Sequence, residues 1–442
     1  MNPSFADCPL SPGVDLLSRR RFLGTSLSAV LAGQAAGAAV ESKKRLRVAA
    51  IYSVFSYRGH AHVLLQNFLK PYYFCGRLTH SDMDVVSFHA DQIAPRGDLT
   101  REVARQFHVE VFPTVEGALC RGGQELAVDA VLSIFEQGDY PFNELGQQLY
   151  PRKKYFDEIV KVMRRSNRFV PLFNDKHLSY RWEWAKEMYD TAKALKIPFG
   201  AGSSVPLAPR VPPLELPDGA PIVEAVCIHS GPPDAYGFHG LEVVQSLLEA
   251  RQGGETGIGQ VEFIRGKDLL KAGQEGRFSL MLAQAALAAD RAPNKAVIDP
   301  NDRAAHGILL TYKDGVRAAV LNAGQTEEYR WVFACRLRGE ERPRACRFDF
   351  LWNDRTFFSA QAHAVQHLFR HQEAPYPVER TLLTTGAVEA ALRARAAGKA
   401  LATPHLEFAY GPKDFRAFRE NGESLKLVGE ELPGINPIGR RK

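Results

Sequence analysis

The segment Asn174-Asp175-Lys176-His177-Leu178 follows the apolar run Phe169 to Phe173, so it falls at the carboxyl end of an expected strand. That edge is where open α/β sheets bind their ligands. A lysine placed there can donate or accept a proton if partial burial lowers its pKa; the plainer reading is a surface lysine beside a carboxylate. A second group of reactive types lies between Ile228 and His239. His229 ends an expected strand and His239 opens an expected helix, so both can face one cleft. The positive end of the helix dipole favours a neutral imidazole, competent as a base. Asp234 can orient that ring, giving a base with its orienting carboxylate; the same residues also suit a loop tied by ordinary hydrogen bonds. His177, His229, Asp234 and His239 lack tight ligand spacing, so no metal is expected. His363, His367 and His371 recur every four residues and share one helical face, without a further ligand in view.

Two further features bear on a dinucleotide. The loop from Ser53 to His62 follows the first expected strand and carries a single glycine, Gly59, with the bulky Phe55 and Tyr57 before it. A pyrophosphate needs glycines there for close backbone approach to a helix N-terminus. The Gly-x-Gly-x-x-Gly fingerprint is absent. Asp91 closes the second strand, where an acidic side chain accepts hydrogen bonds from an adenosine ribose; a turn-forming Asp is the plainer reading.

These residues must be positioned by alternating elements. Strands are expected at residues 46–52, 84–90, 128–134 and 169–173, and helices around Val63–Phe68, Thr100–Phe107 and Tyr155–Arg165. A further helix is expected with Ser179 as its cap and Trp184, Ala185, Met188, Ala192 and Leu195 on one stripe. Such alternation predicts an α/β fold: an N-terminal Rossmann-like, doubly wound parallel sheet over 45–200. Six prolines between 205 and 221 mark a crossing segment. Beyond it, β-rich runs from Ile222 to Leu351, with helices at Gly240–Ala250 and Leu280–Ala288, predict an α+β domain over 201–399 with a large mixed or antiparallel sheet. A helix over Gly386–Ala397 precedes a polar tail at 400–442.

The N-terminus carries Ser18-Arg19-Arg20-Arg21-Phe22-Leu23 and a weakly apolar run to Val40 that is too short and too polar to span a bilayer. It reads as a twin-arginine signal over 1–38, with small residues at Ala36-Gly37-Ala38 for cleavage. The expected location is periplasmic or otherwise exported, with the twin-arginine translocase as a partner. That route carries folded cargo and suits proteins that load a cofactor first. The net charge of +6 is spread along the chain, and basic runs beside helices read as solvated faces, so no nucleic-acid partner is expected. Five cysteines follow the signal, and the odd number argues against a disulfide framework. Cys335 and Cys346 flank Gly339-Glu340-Glu341-Arg342, and a tight turn there would set them opposite each other, as two packed thiols or, less favoured, a cross-strand disulfide.

Asp175-Lys176-His177-Leu178 with its following helix resembles the Glu-Lys-Pro segment of the Gfo/Idh/MocA oxidoreductases. Val128–Ile134 resembles that family's fourth strand, Arg58-Gly59-His60-Ala61-His62 the end of its glycine-rich loop, and Gly237-Phe238-His239-Gly240-Leu241 its Gly-x-His segment. The resemblance runs from Leu46 to about Lys399 and points to exported, divergent bacterial members. It implies a Rossmann domain joined to an α+β domain, and oxidation or reduction of a sugar, glycoside or polyol with tightly bound NAD or NADP. Gly59, His62, Asp91, Asp175 and Lys176 would hold that cofactor. Lys176, His239 and Asp234 would be catalytic, and homo-oligomers are common among such proteins. The alternatives are a cofactor-independent hydrolase or lyase on the same scaffold, and a non-catalytic carbohydrate-binding protein.

Overall fold

The computed structural model describes residues 44–428 apart from 95, 292–297, 300, 324–328 and 351–355, so the expected signal segment lies outside the described residues. From its start the chain runs through β1 (Leu46–Tyr52), α1 (His60–Leu69), the hairpin β2 (Tyr72–Phe74) and β3 (Arg77–Thr79), β4 (Met83–Ala90), α2 (Thr100–Phe107), β5 (Glu110–Val111) and α3 (Val115–Cys120). It continues through β6 (Ala130–Ile134), α4 (Arg152–Arg165), β7 (Leu172–Asp175), α5 (Trp182–Ala194) and β8 (Phe199–Gly202). Six strands pair in parallel in the order β5-β4-β1-β6-β7-β8. Strands covered on both faces must be apolar throughout, and β6 (Ala-Val-Leu-Ser-Ile) is buried along its whole length. Strand order reverses between β1 and β6, so the crevice of this sheet opens at their carboxyl ends.

The second sheet has eight strands in the order β16-β11-β12-β13-β10-β14-β15-β9. They are β9 (Arg210–Val211), β10 (Ile222–His229), β11 (Ile258–Arg265), β12 (His306–Tyr312), β13 (Arg317–Asn322), β14 (Trp331–Leu337), β15 (Arg344–Phe348) and β16 (Leu401–Ala402). Only β10 and β13 pair in parallel, so the sheet is mixed, as expected. Its helices are α6 (Phe238–Leu248), α7 (Lys267–Gln274), α8 (Leu280–Ala288), α9 (Thr356–His371), α10 (Val378–Ala397) and α11 (Glu423–Val428). Helix α6 lies close on the sheet because of Gly240, where a Cβ would stand 2.5 Å from Val320 Cγ1. Leu282, Ala286 and Leu287 of α8 pack on the opposite face against Val226, Ile228 and Val332.

Several details depart from the sequence pattern. Helix α5 starts at Trp182 with Arg181 at its N-cap and no side-chain cap; Ser179 instead accepts the Arg181 amide at 3.4 Å. Helix α10 starts eight residues before Gly386, since its early residues are buried nearly all round and show no amphipathic stripe. Helix α9 returns to the first sheet, where Ala362, Val365, Leu368 and Phe369 share a core with Leu64, Leu65 and Phe88. Past Lys399 the chain stays on the fold, with β16 paired to β11 and Leu406 fully buried. Cys335 lies opposite Arg344 and Cys346 opposite Phe333, so the two thiols are one diagonal step apart rather than facing. Both are free, and burial pushes each up to about 12.

Candidate active site

Lys176 follows the last residue of β7 in a left-handed conformation (φ 64°), anchored by its amide on Gly202 O at 3.1 Å. Few non-glycine residues adopt that backbone, and here it turns the side chain across the crevice. The amine donates to Glu136 Oε1 at 3.0 Å and to Ala235 O at 3.1 Å, joining the first sheet's edge to the turn before α6. Glu136 stands just past β6, and its other oxygen accepts Arg152 at 2.6 Å. Burial alone would raise the Glu136 carboxyl, but the Lys176 and Arg152 charges outweigh that and hold it below its ordinary range. Arg152, fully buried at the start of α4, also meets His177 Nε2 at 3.1 Å. Because arginine only donates, His177 accepts at Nε2 and carries its proton on Nδ1. Burial and then the charge of Arg152 hold His177 well below its usual pKa, so it is neutral.

His239 is the second residue of α6, and burial holds it too well below its usual range, with the charge of Lys176 next in effect. Its Nδ1 pairs with Ser203 Oγ at 2.6 Å, and that oxygen also accepts the Val205 amide at 3.0 Å. Asp234 therefore does not orient His239, which corrects the expectation drawn from their spacing. The turn Pro233–Gly237 is π-helical, and Asp234 Oδ2 is directed to the Gln148 amide at 3.4 Å while Oδ1 is buried without a partner among the described residues. Burial, opposed by Arg152, pushes its carboxyl up to about 6.

Lys176, His239, Glu136 and His60 line one cavity of about 130 Å³. Its far wall is aromatic: Tyr236 stacks on Tyr329 at 4.7 Å, and the edge of His239 meets Trp331 at 5.3 Å. Ser204 also lines it, with a buried hydroxyl that has no partner among the described residues. His60, first residue of α1, pairs with Asp175 Oδ2 at 2.6 Å. The cavity thus brings together Lys176 and His239, with Asp175 behind His60. Sequence reasoning missed His60, Glu136, Arg152, Ser203 and Ser204. Glu136 carried a usable signal, since it follows an expected strand at the same edge as Lys176.

The other residues assigned to a dinucleotide lie beyond this cavity. Gly59 precedes α1, and a Cβ there would stand 2.6 Å from Ser56 Oγ and 3.2 Å from Gln137 Oε1. Gln137 Oε1 accepts the His60 amide at 2.9 Å, a donor that a Rossmann fold turns to pyrophosphate. Asp91 directly follows β4 and accepts the Tyr140 hydroxyl at 2.5 Å on one oxygen and the Tyr155 hydroxyl on the other. His62 is buried against Phe55 and Tyr57. Phe55 sits in the core and Tyr57 is partly exposed, and neither lines the cavity. The His60 amide and the Asp91 carboxylate are thus held by the chain's own side chains. Among the described residues no cluster of three or more His, Cys, Asp or Glu forms a metal site, and His363 instead meets the Tyr72 hydroxyl at 3.0 Å and stacks on Phe74.

No protein-family model matches the chain, and no curated protein matches it in sequence. Solved structures do match its fold. GenD2 from gentamicin A biosynthesis, in complex with NAD, superposes with a TM-score of 0.54 at 11% identity, over 82% of this chain and 97% of that one. The apo scyllo-inositol dehydrogenase of Lactobacillus casei gives 0.51 at 11% identity, over 81% and 98%. A putative myo-inositol dehydrogenase from Sinorhizobium meliloti 1021 gives 0.50 at 13%, over 81% and 99%. The chain has the Gfo/Idh/MocA two-domain fold. At this identity the likeness establishes architecture, and chemistry must be argued from the cleft.

Proposed function

We propose that the protein is an exported oxidoreductase acting on a sugar, glycoside or polyol, with its active centre at the cleft between Lys176 and His239. The observation that carries this reading is the Lys176 amine, held by Glu136 and Ala235 against a cavity it shares with a neutral histidine. A substrate hydroxyl placed between them meets a proton acceptor or donor at His239 and a positive charge at Lys176. Ser203 fixes the imidazole, and the ammonium stabilises a developing alkoxide. Tyr236, Tyr329 and Trp331 give the cavity an aromatic wall of the kind that sugar C–H groups pack on, while the Ser204 hydroxyl supplies a directional contact. Two neighbours of the same fold are an inositol dehydrogenase and a putative one, which supports a polyol class of substrate.

NAD or NADP is the hydride acceptor this reading requires. Asp91 and the first turn of α1 are the groups that would hold it. Residues 18–23 support twin-arginine export with the cofactor loaded beforehand. Mass spectrometry of nucleotide released from natively exported protein tests the reading. Released NAD or NADP is the expected result. Protein that carries none, and binds neither when added, removes it. A second reading, cofactor-independent proton transfer on a carbohydrate, is favoured by one observation: Gln137, Tyr140 and Tyr155 already take the contacts a dinucleotide would make.

A further inference from the structure

We infer that residues 136–150 form a built-in strap that competes with the dinucleotide for the crevice, so that NAD or NADP binds only as the strap lifts. The inference rests on the oxidoreductase reading. The strap leaves the end of β6 through two consecutive left-handed residues, Gln137 (φ 65°) and Gly138 (φ 104°), which fold the chain back over the carboxyl edge of the sheet. It then meets two of the groups assigned to a dinucleotide, the start of α1 beside Gly59 and Asp91. Gln137 caps the first amide of α1 at 2.9 Å and fills the room beside Gly59. Tyr140 covers Asp91. Next to it Gln92 and Asp139 exchange two hydrogen bonds, Gln92 donating at 3.0 Å and the Asp139 amide donating at 2.9 Å.

The strap is also tied to itself and to the cleft. Tyr150 donates its hydroxyl to Gln148 Oε1 at 2.7 Å and accepts the Gln137 amide at 3.1 Å. Asn143 Oδ1 accepts the amides of Leu145 and Gln147 at 3.0 Å each, closing the tip. The Gln148 amide is directed to Asp234, and the strap begins at Glu136, the partner of Lys176. Lifting the strap therefore disturbs the charges around the proton-transfer site, so nucleotide entry and the setting of Lys176 are coupled. Phe142, at the tip, is a large apolar side chain that stays two-thirds exposed, and beside it the tip is tied to the fold by polar contacts, Gln147 Nε2 donating to Tyr180 O at 2.9 Å and Arg395 donating to Leu145 O.

Each contact a dinucleotide must displace weakens its binding by the net value of one hydrogen bond, about fivefold. The test uses the full folded protein, dialysed free of nucleotide, as wild type, Gln137→Ala, Tyr140→Phe and the double variant. NAD and NADP are titrated by calorimetry. The strap predicts tightening of about fivefold in each single variant and roughly twentyfold in the double variant. It also predicts faster amide exchange over 136–150 in wild type once the nucleotide binds. Tyr140→Phe keeps the ring, so misfolding does not obscure the result. Wild type that binds as tightly as every variant, with unchanged exchange over 136–150, overturns the strap and leaves the oxidoreductase reading standing. No binding by any of the four proteins overturns both.

Discussion

Replacing Glu136 by Gln tests whether compensated charge holds the cleft together. The Glu136 side chain is buried and takes Arg152 at 2.6 Å and Lys176 at 3.0 Å, partners that are themselves buried. Glutamine keeps one carbonyl oxygen for one cation and turns an NH₂ donor towards the other. The one carboxylate that both buried cations share is then gone, and uncompensated buried charge of this kind costs about 3–5 kcal/mol. The control is Lys154→Ala, which removes an exposed pair at 3.9 Å from Glu158 and is expected to stay within about 0.5 kcal/mol of wild type. Urea unfolding at pH 7, followed by fluorescence and far-UV circular dichroism, measures both. The pH dependence has a defined sign. Glu136 is held below its ordinary range, so its stabilisation is present above the pKa of an unfolded glutamate and is lost as pH falls through the folded value. The gap between wild type and Glu136→Gln therefore narrows in acid. A variant within about 1 kcal/mol of wild type at neutral pH, or a gap that widens in acid, refutes the reasoning.

Two other predictions concern the residues around the cavity. Burial raises the Asp234 carboxyl from 3.8 to about 6, so this group favours the fold fully only below the unfolded value, and that contribution is lost as pH rises through about 6. Asp234→Asn is expected to be more stable than wild type at pH 8, by at most about 3 kcal/mol, with the difference vanishing below about pH 4 in thermal or urea unfolding. Ser203→Ala removes the partner of His239 Nδ1; kcat is expected to fall by about tenfold or more with KM little changed, measured on whichever sugar or polyol the wild type turns over.

The two sheets were legible because their strands are short apolar runs, and buried parallel strands admit little else. The edge position of Lys176 was legible for the same reason, since a reactive residue just past such a run must stand at the ligand-binding edge. Its partners were less so. Glu136 is brought to Lys176 by the pairing of β6 with β7, forty residues apart in sequence. The Asp234–His239 pairing failed because a five-residue spacing does not fix side-chain direction. The π-helical turn sends Asp234 toward Gln148, and a serine from beyond β8 takes the imidazole. The strap was the least legible part. Its polar, glycine-bearing composition reads as an ordinary loop, and only its contacts with Asp91 and α1 show what it covers.

The central claim, that a substrate hydroxyl reacts beside Lys176, is tested most directly by comparing wild type with Lys176→Ala on a panel of sugars and polyols, with binding and turnover measured separately. The account predicts a compound whose affinity changes by no more than a few fold while turnover falls by about 10²–10⁴. Turnover that survives the loss of the amine would contradict it.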